Sequence, residues 1–236
     1  MIAIVDYGMG NLRSVEKAFL AVGHRAFITG DPDKVVKADK VVLPGVGAFG
    51  AAMENLRASG MADAVLASIR AGKPFLGICL GLQLLFTESE ELGRFRGLDV
   101  IHGRVAQFFQ PEDRTPETEK LKVPHMGWNS LDIRLPALSL PALSLSKGSK
   151  GPAPLLKDFP AGGSVSAKAT TDKMVYFVHS YYVIPEDRDV IAATTQHGIV
   201  FCSAIWKDNI FAVQFHPEKS GALGLTILKR FGDMEV

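Results

Sequence analysis

The sequence contains little cysteine, no excess of charge and no long apolar run, and each absence excludes a class of protein. The two cysteines, Cys79 and Cys202, are too few for a disulfide framework, so we expect a reducing, cytoplasmic environment. The net charge of +1 gives no sign of the basic excess typical of nucleic-acid binding. The apolar run at 2–5 is too short for a signal peptide or a membrane span. We therefore expect no nucleic-acid partner and no membrane partner.

Short apolar runs alternate with amphipathic stretches through the first half of the chain. The patterns predict strands at 2–5, 25–29, 40–44 and 73–81, and helices at 11–23, 50–60, 61–72 and 82–91. Apolar strands that alternate with helices are typical of a parallel sheet that is covered on both faces. We therefore predict an α/β fold with a doubly wound, mostly parallel sheet. Ligands of such sheets bind at the carboxyl ends of the strands, here after "VVLP" and "FLGI".

The second half of the chain is typical of strands joined by short turns. They are predicted at 99–109, 125–135, 174–184, 189–196, 199–206 and 210–217, before a final helix at 221–233. This order indicates an antiparallel extension at one edge of the sheet, followed by a return to the core. The segment 135–154 breaks the pattern, because it repeats "LPALS" in tandem and is rich in Pro, Ser and Gly. We expect it to be a disordered surface insertion in a single domain, 1–236.

The stretch "VVLPGVGAFG" at 41–50 contains G-x-G-x-x-G directly after an apolar run. Taken alone, this pattern predicts a loop that binds the pyrophosphate of a dinucleotide. A complete fingerprint also needs an acid at the end of the following strand, about 20 residues on. That strand leads to Cys79 instead, so an oxidoreductase that binds NAD or FAD is a minor alternative.

Cys79 lies between an apolar strand and a helical stretch, in the sequence Gly77-Ile-Cys-Leu-Gly81. A nucleophile elbow turns so sharply that small residues are required two positions either side of the nucleophile. The elbow would set the thiol at a helix N-terminus, where the helix dipole favours the thiolate. The backbone amide of Leu80 would then point to where an oxyanion forms. The alternative is a buried structural cysteine.

A thiol nucleophile needs a base, and His216 is the histidine with an acid two residues on, Glu218. Residues i and i+2 of an extended segment face the same way, and Pro217 between them stiffens the backbone. Glu218 could therefore orient one nitrogen of His216 while the other faces Cys79, as in a Cys-His-carboxylate triad. The alternative is a surface turn. No metal site is expected, because the chain has no C-x-x-C or H-E-x-x-H spacing.

Three stretches, "LPGVGAFG", "GICLGLQLLF" and "FHPEKSG", together resemble the class I (triad) glutamine amidotransferases. Three more, "IVDYGMGNLRSV", "PHMGWN" and "YFVHSYY", are similar to the glutaminase subunits of imidazole glycerol phosphate synthase, an enzyme of histidine biosynthesis. The resemblance covers nearly the whole chain except about 135–173. It implies a flavodoxin-like fold, no cofactor, and glutamine as the small-molecule substrate.

The resemblance also implies a role for each matching residue. Cys79 would attack the glutamine carboxamide, His216 would move the proton, and Glu218 would orient His216. A second oxyanion donor would be the amide of Val46, with flexibility from its flanking glycines, Gly45 and Gly47. Substrate binding is implied for three further residues, namely Gln83, Ser180 and Tyr181.

In the family that the chain resembles, the ammonia passes to a partner cyclase subunit with a TIM-barrel fold. The products are imidazole glycerol phosphate and an aminoimidazole carboxamide ribotide. The resemblance therefore implies a heterodimer. Its interface candidates are Met126, Trp128, Tyr176 and Lys219, of which the aromatic residues suit a hot spot or could simply be core. Two alternatives stay open, a class I glutaminase of another pathway and a catalytically silent scaffold.

Overall fold

The computed structural model describes residues 1–109, 116, 118, 121–133 and 173–235. Within these ranges the strands are β1 (Ile2–Val5), β2 (Ala26–Thr29), β3 (Lys40–Gly45), β4 (Phe75–Cys79), β5 (Phe86–Ser89), β6 (Phe95–Arg96), β7 (Ile101–Gln107), β8 (His125–Ser130), β9 (Asp132–Ile133), β10 (Met174–His179), β11 (Tyr181–Pro185), β12 (Ile191–His197), β13 (Ile199–Lys207) and β14 (Ile210–Val213). The α-helices are α1 (Leu12–Ala21), α2 (Pro32–Lys37), α3 (Phe49–Ala58), α4 (Met61–Arg70), α5 (Leu80–Gln83) and α6 (Gly221–Asp233). The predicted insertion at 135–154 lies outside the described residues.

Five strands form a parallel half-sheet in the order β2-β1-β3-β4-β14. The apolar side chains of β1, β3, β4 and β14 are almost wholly buried, as expected for strands that are covered on both faces, whereas those of the edge strand β2 are half-buried. In the register of this sheet Gly45, at the end of β3, lies beside Cys79, at the end of β4. The carboxyl ends of these strands therefore bring together stretches that are far apart in the sequence.

Helices cover both faces of the parallel half-sheet, as predicted. Alternate strand residues point to opposite faces, so Ile4 packs in one core cluster and Val5 in the other. On the first face α1 and α6 meet, with the Phe19 and Phe231 rings 6.1 Å apart. On the second face α3 and α4 pack over the sheet, and Met53 is buried there. This doubly wound arrangement places the catalytic candidates at one edge of the sheet.

The antiparallel extension also agrees with the sequence. The sheet continues from β14 through β13, β11 and β7 to β5 and β6. A branch leaves it at β13, where β12 pairs with β13 and also with β9. Strands β8 and β10 form a separate antiparallel ladder. The last strand, β14, returns to the parallel half-sheet and pairs with β4. Over the described ranges, no helix is long and apolar enough to cross a bilayer.

One predicted element is of the wrong type, and two predicted strands are each divided, 125–135 into β8 and β9 and 174–184 into β10 and β11. The helix expected at 82–91 ends after one turn, because α5 is only Leu80–Gln83 and β5 (Phe86–Ser89) follows it. Leu84, Leu85 and Phe86 are fully buried, and β5 pairs in parallel with β7. A continuous apolar run does not distinguish a buried strand from a buried helix, so the period could not give the answer here. The short helix α2 was also not predicted.

Candidate active site

Cys79 occupies a strained turn between β4 and α5. Its backbone has φ 55° and ψ −109°, an unusual conformation for a residue that is not glycine. A Cβ atom built on Gly77 would lie 3.0 Å from the carbonyl oxygen of Gly81, and one on Gly81 would overlap the carbonyl oxygen of Leu43. The turn thus has room only for glycine at both flanking positions. This steric limit is the reason why the G-x-C-x-G pattern predicts a nucleophile elbow.

His216 and Glu218 are paired and buried beside this turn. The Nδ1 atom of His216 lies 2.9 Å from Oε1 of Glu218, and the two side chains are 3% and 1% exposed. Burial alone would lower the pKa of His216, but interactions with Cys79 and Glu218 outweigh it and raise that pKa to about 10. Among the described residues, the Nε2 atom of His216 has no hydrogen-bond partner of ordinary geometry. This nitrogen is therefore available for proton transfer at the cavity, which both His216 and Cys79 line.

Ser220 fixes the backbone that carries His216. Its hydroxyl donates to the carbonyl oxygen of His216 at 2.6 Å and accepts from the backbone N–H of Tyr176 at 3.0 Å. The backbone N–H of His216 donates in turn to the carbonyl oxygen of Tyr176 at 2.9 Å. Ser220 was not predicted, although it lies only four residues after His216, in "HPEKS".

A cavity of about 320 Å³ opens at the thiol. Eight of the predicted site residues line it, namely Val46, Gly47, Cys79, Leu80, Gln83, Ser180, Tyr181 and His216. Gly45 and Glu218 lie behind it, at a narrow crevice that Val46 and His216 also line. The structure thus brings together residues from four separate stretches of the chain, at the strand ends where a ligand was expected.

The glycines of "PGVG" allow close packing of two loops. A Cβ atom on Gly45 would lie 2.5 Å from the Tyr7 hydroxyl oxygen, and one on Gly47 would lie 2.6 Å from the Met9 methyl carbon. Gly47 also has φ +96°, which L side chains rarely adopt. The Tyr7 hydroxyl donates to the carbonyl oxygen of Pro44 at 3.1 Å. The loop that carries the predicted Val46 donor therefore packs against the loop after β1 and is held by a hydrogen bond from it.

The helix that follows this loop already has a carboxylate at its N-terminus. Glu91 accepts from the backbone N–H of Phe49, the first residue of α3, at 2.6 Å. Burial raises the pKa of Glu91, against the effect of that N–H. A dinucleotide-binding loop would offer this position to a pyrophosphate, so the contact disfavours the oxidoreductase alternative. Glu91 also lines the cavity, and it was not predicted from the sequence, because its role depends on the distant Phe49.

Gln83 is held by two hydrogen bonds. Its amide nitrogen donates to the carbonyl oxygen of Tyr181 at 3.1 Å and to Oε1 of Gln214 at 3.0 Å. The amide nitrogen of Gln214 then donates to the Cys79 sulfur at 3.7 Å. The thiol itself lies 4.0 Å from the carbonyl oxygen of Val178. Gln214 was not predicted either, because its role depends on contacts with residues far away in the sequence.

The four interface candidates lie together on one surface. Met126 and Trp128 alternate along β8 and are 62% and 53% exposed. Tyr176 is opposite Trp128 in the β8–β10 ladder, with ring centroids 6.2 Å apart. The ammonium group of Lys219 lies 6.0 Å from the centroid of the Tyr176 ring. Two exposed large apolar side chains beside a cation are typical of a surface that another protein covers.

Within the described ranges, no three His, Cys, Asp or Glu side chains are grouped so that they could hold a metal ion. The cavity lining contains reactive protein groups. They offer a sulfur nucleophile, a histidine that is paired with a carboxylate, and backbone amides at a strained turn, a set suited to acyl transfer.

Comparison with known proteins gives a consistent set of relatives. The sequence model of the family "Glutamine amidotransferase class-I" matches residues 3–233. The chain is 53% identical to the imidazole glycerol phosphate synthase subunit HisH of Syntrophotalea carbinolica, over 99% of this chain and 100% of the relative. It is 46% identical to the subunit of the same name from Methanothermobacter thermautotrophicus, over 98% of this chain and 97% of the relative.

Solved structures resemble the fold at low sequence identity. PurLQS from Thermotoga maritima superposes with a TM-score of 0.64 at 16% identity, over 98% of this chain and 96% of that one. A glutamine amidotransferase superposes with a TM-score of 0.62 at 15% identity, over 98% of this chain and 100% of that one. At such identities the likeness shows the fold alone.

Proposed function

The chain belongs to the class I glutamine amidotransferase family, and we propose that it is the glutaminase subunit of an imidazole glycerol phosphate synthase. In that role it hydrolyses glutamine to glutamate and ammonia, for use in histidine biosynthesis. The observation that carries the proposal is the buried pair of His216 and Glu218, 2.9 Å apart, at the cavity that contains Cys79. The relatives that carry this subunit name match the chain over nearly its whole length.

The proposed reaction begins with the Cys79 thiolate, which attacks the carbon of the glutamine side-chain carboxamide. The C–N bond breaks, His216 gives its proton to the leaving nitrogen, and ammonia departs. A glutamyl thioester on Cys79 remains. His216 then takes a proton from a water molecule, whose oxygen attacks the thioester carbon and releases glutamate and the thiolate. The raised pKa of His216 keeps the ring protonated at neutral pH, ready to act as the acid of the first step.

Two groups of residues are proposed to serve that chemistry. The backbone amides of Leu80 and Val46 stabilise the oxyanion, since Leu80 follows the nucleophile and Val46 lies at the same cavity. Glu91 supplies the negative charge that an α-ammonium group requires, and it is a carboxylate in the cavity lining. Ser180 and Tyr181 shape the wall on the far side, and Gln83 holds Tyr181 in place.

The partner is proposed to be a TIM-barrel cyclase that covers the surface of Met126, Trp128, Tyr176 and Lys219. Ammonia is mostly protonated in neutral water and is then no nucleophile, so transfer to a covered second site has a chemical purpose. Trp128 is large, rigid and half exposed, which suits the centre of such an interface. We also propose that 1–236 is one domain in the cytoplasm, because the family model spans 3–233 and both cysteines are in the reduced state.

A glutaminase assay with and without the cyclase subunit and its ligand tests the proposal. We expect the partner and its ligand together to activate glutamine hydrolysis strongly. The substitution Trp128→Ala should raise the partner concentration that gives half-maximal activation by roughly 10- to 100-fold, as expected for an interface hot spot. Leu20→Ala is the matched control, because Leu20 is 66% exposed on α1, away from this surface. Equal activity with and without the partner would overturn the coupled function.

A further inference from the structure

The partner-facing strand β8 has an inner face that carries a hydrogen-bonded pair. Met126 and Trp128 face outward, while His125 is buried on the other face. The amide nitrogen of Asn129 lies 3.1 Å from Nε2 of His125 and donates to the carbonyl oxygen of Gln196 at 2.9 Å. Because the Oδ1 atom of Asn129 accepts from the N–H of Ser130 at 2.8 Å, the orientation of this amide is fixed.

The pair continues across the ladder to a second histidine. His125 and His179 are direct partners in the β8–β10 register, and Nδ1 of His125 lies 3.0 Å from Nε2 of His179. The Nδ1 atom of His179 lies 2.8 Å from the carbonyl oxygen of Tyr181. Four groups, from the Asn129 amide to the Tyr181 carbonyl, are therefore joined in sequence by hydrogen bonds.

The two ends of this chain determine where every proton lies. The Asn129 amide nitrogen can only donate, so Nε2 of His125 must accept and carries no proton. The Tyr181 carbonyl can only accept, so Nδ1 of His179 must carry a proton. The remaining bond then requires that Nδ1 of His125 donates to Nε2 of His179. Both histidines are thus neutral, and each has its single proton on Nδ1.

The surroundings favour the neutral rings. Burial is the largest cause that lowers the pKa of His179 to about 3, and the histidines His125, His197 and His216 add to it against the Tyr181 carbonyl. Burial likewise lowers the pKa of His125 to about 4, with a further effect from His197. The His125 ring stacks between His197 and Phe177, at centroid distances of 4.1 and 4.7 Å. Both rings therefore stay neutral well below pH 7.

The Tyr181 carbonyl is also where a second set of hydrogen bonds ends. It accepts from His179 on one side and from the Gln83 amide on the other, at 2.8 and 3.1 Å. From Gln83 the bonds run through Gln214 to the Cys79 sulfur. An unbroken path of hydrogen bonds thus leads from β8, whose outer face carries Met126 and Trp128, to the nucleophile.

We propose that Asn129, His125 and His179 are positioning residues, which hold the Tyr181 carbonyl in place and tie the glutamine cavity to the strand that faces the partner. Because these bonds are connected in series, a displacement of β8 must move the Tyr181 carbonyl or break a buried hydrogen bond. This inference rests on the proposed function for its substrate and partner. The proton positions that it requires follow from the geometry alone.

A pair of surrogates for His179 tests the positioning role in the complex with the cyclase and its ligand. In His179→Asn the amide nitrogen can replace Nδ1 and donate to Tyr181, whereas in His179→Gln the amide lies near the Nε2 position and cannot. We expect the KM for glutamine to rise roughly 10-fold in the Gln variant, the effect of about one hydrogen bond, with a smaller change in kcat. The Asn variant should keep a KM nearer that of the wild type.

His102→Asn is the control, because the His102 side chain is 69% exposed and its ring contacts Asp99, outside the hydrogen-bonded chain. Its KM should stay at the wild-type value. Equal KM values for the two His179 variants would overturn the positioning role. If the Gln variant does not fold, the KM values of His125→Gln and His125→Asn are compared instead. This pair tests the hydrogen bond from Nδ1 of His125 to His179.

Nitrogen NMR of the histidine rings in the free wild-type chain tests the proton positions independently of activity. We expect His125 and His179 to be neutral, with the proton on Nδ1, from pH 8 to about pH 5, in line with their low pKa values. A proton on Nε2 of His125, or a charged ring at pH 7, would overturn the inference. A wild-type complex that fails to hydrolyse glutamine would instead overturn the proposed function. The NMR spectrum would then still test the hydrogen-bonded series from Asn129 to Tyr181.

Discussion

His216 Nδ1 and Glu218 Oε1 lie 2.9 Å apart, across a single proline, and both side chains are almost wholly buried. A buried carboxylate beside a ring nitrogen favours the protonated ring, so the pair accounts for part of the rise in the pKa of His216 to about 10. The same contact orients the ring so that its other nitrogen is left for the thiol side of the cavity.

Glu218→Gln should reduce kcat for glutamine hydrolysis on the order of 10²- to 10⁴-fold and leave KM little changed. The amide fills the same space without the charge that stabilises the protonated ring, and Glu218 does not line the cavity. NMR titration should also find the pKa of His216 lowered. Glu54→Gln is the control, since Glu54 is an exposed carboxylate on α3. An unchanged kcat would contradict the triad.

Cys79→Ala should abolish glutamine hydrolysis, by roughly 10⁴-fold or more, because it removes the nucleophile. Synthesis by the complex with added ammonia should continue, since that reaction needs only the partner. Cys202→Ala removes the other buried thiol, which lies in β13, and should leave hydrolysis nearly unchanged. Measurement of both reactions for both variants separates chemistry from folding. Full glutaminase activity in the Cys79 variant would rule out the mechanism.

Gly47→Ala should lower kcat roughly 10- to 100-fold, less than the 10²- to 10³-fold that follows outright loss of an oxyanion donor. The new methyl group would meet the Met9 side chain, and the backbone at φ +96° would be strained. Gly72→Ala carries a similar strain, at φ +76°, but its methyl group meets nothing within 4 Å. If both variants lose the same activity, the effect is general strain and says nothing of the loop.

The stability of the protein should fall as the pH drops from about 6.5 towards 3. The pKa of His179 is about 3 in the folded chain, below its ordinary value of 6.5, so the unfolded chain takes up the proton first. The free energy of unfolding is thus unaffected by the titration of His179 above pH 6.5. Below that pH it falls by up to about 1.4 kcal/mol per pH unit.

Urea unfolding of the wild type and of His179→Asn measures this effect. The variant should show a shallower fall of the free energy of unfolding across the same pH range. His102→Asn is the control, because the His102 side chain is 69% exposed, and its curve should run parallel to that of the wild type. Parallel curves for all three proteins would contradict the burial of a neutral ring at His179.

The sequence was sufficient for the architecture of the parallel half-sheet, because short apolar runs alternate there with longer stretches of clear helical period. It was not sufficient at Leu84 to Phe86, where a fully buried apolar run has no period and β5 was predicted as helix. The strand conformation of this segment is stabilised by pairing with β7, a long-range contact that local propensity cannot predict.

The candidate site divides in the same way. Cys79 could be found because a nucleophile elbow imposes glycines at fixed, local spacing. Glu91 and Gln214 could not, since their roles depend on contacts with Phe49 and Gln83, 42 and 131 residues away in the chain. Residues that act through distant partners leave no local pattern in one sequence.

The strand that leads to His216 is the last of the sheet to be synthesised, and it lies in the middle. β14 fills the gap between β4 and β13, so the ribosome must make the chain as far as residue 213 before the sheet can close. Pairing over so long a distance slows folding and leaves the edge of β4 open in the meantime. A nascent chain that has not reached residue 216 therefore carries the thiol without its imidazole, and hydrolysis can start only after β14 has paired with β4.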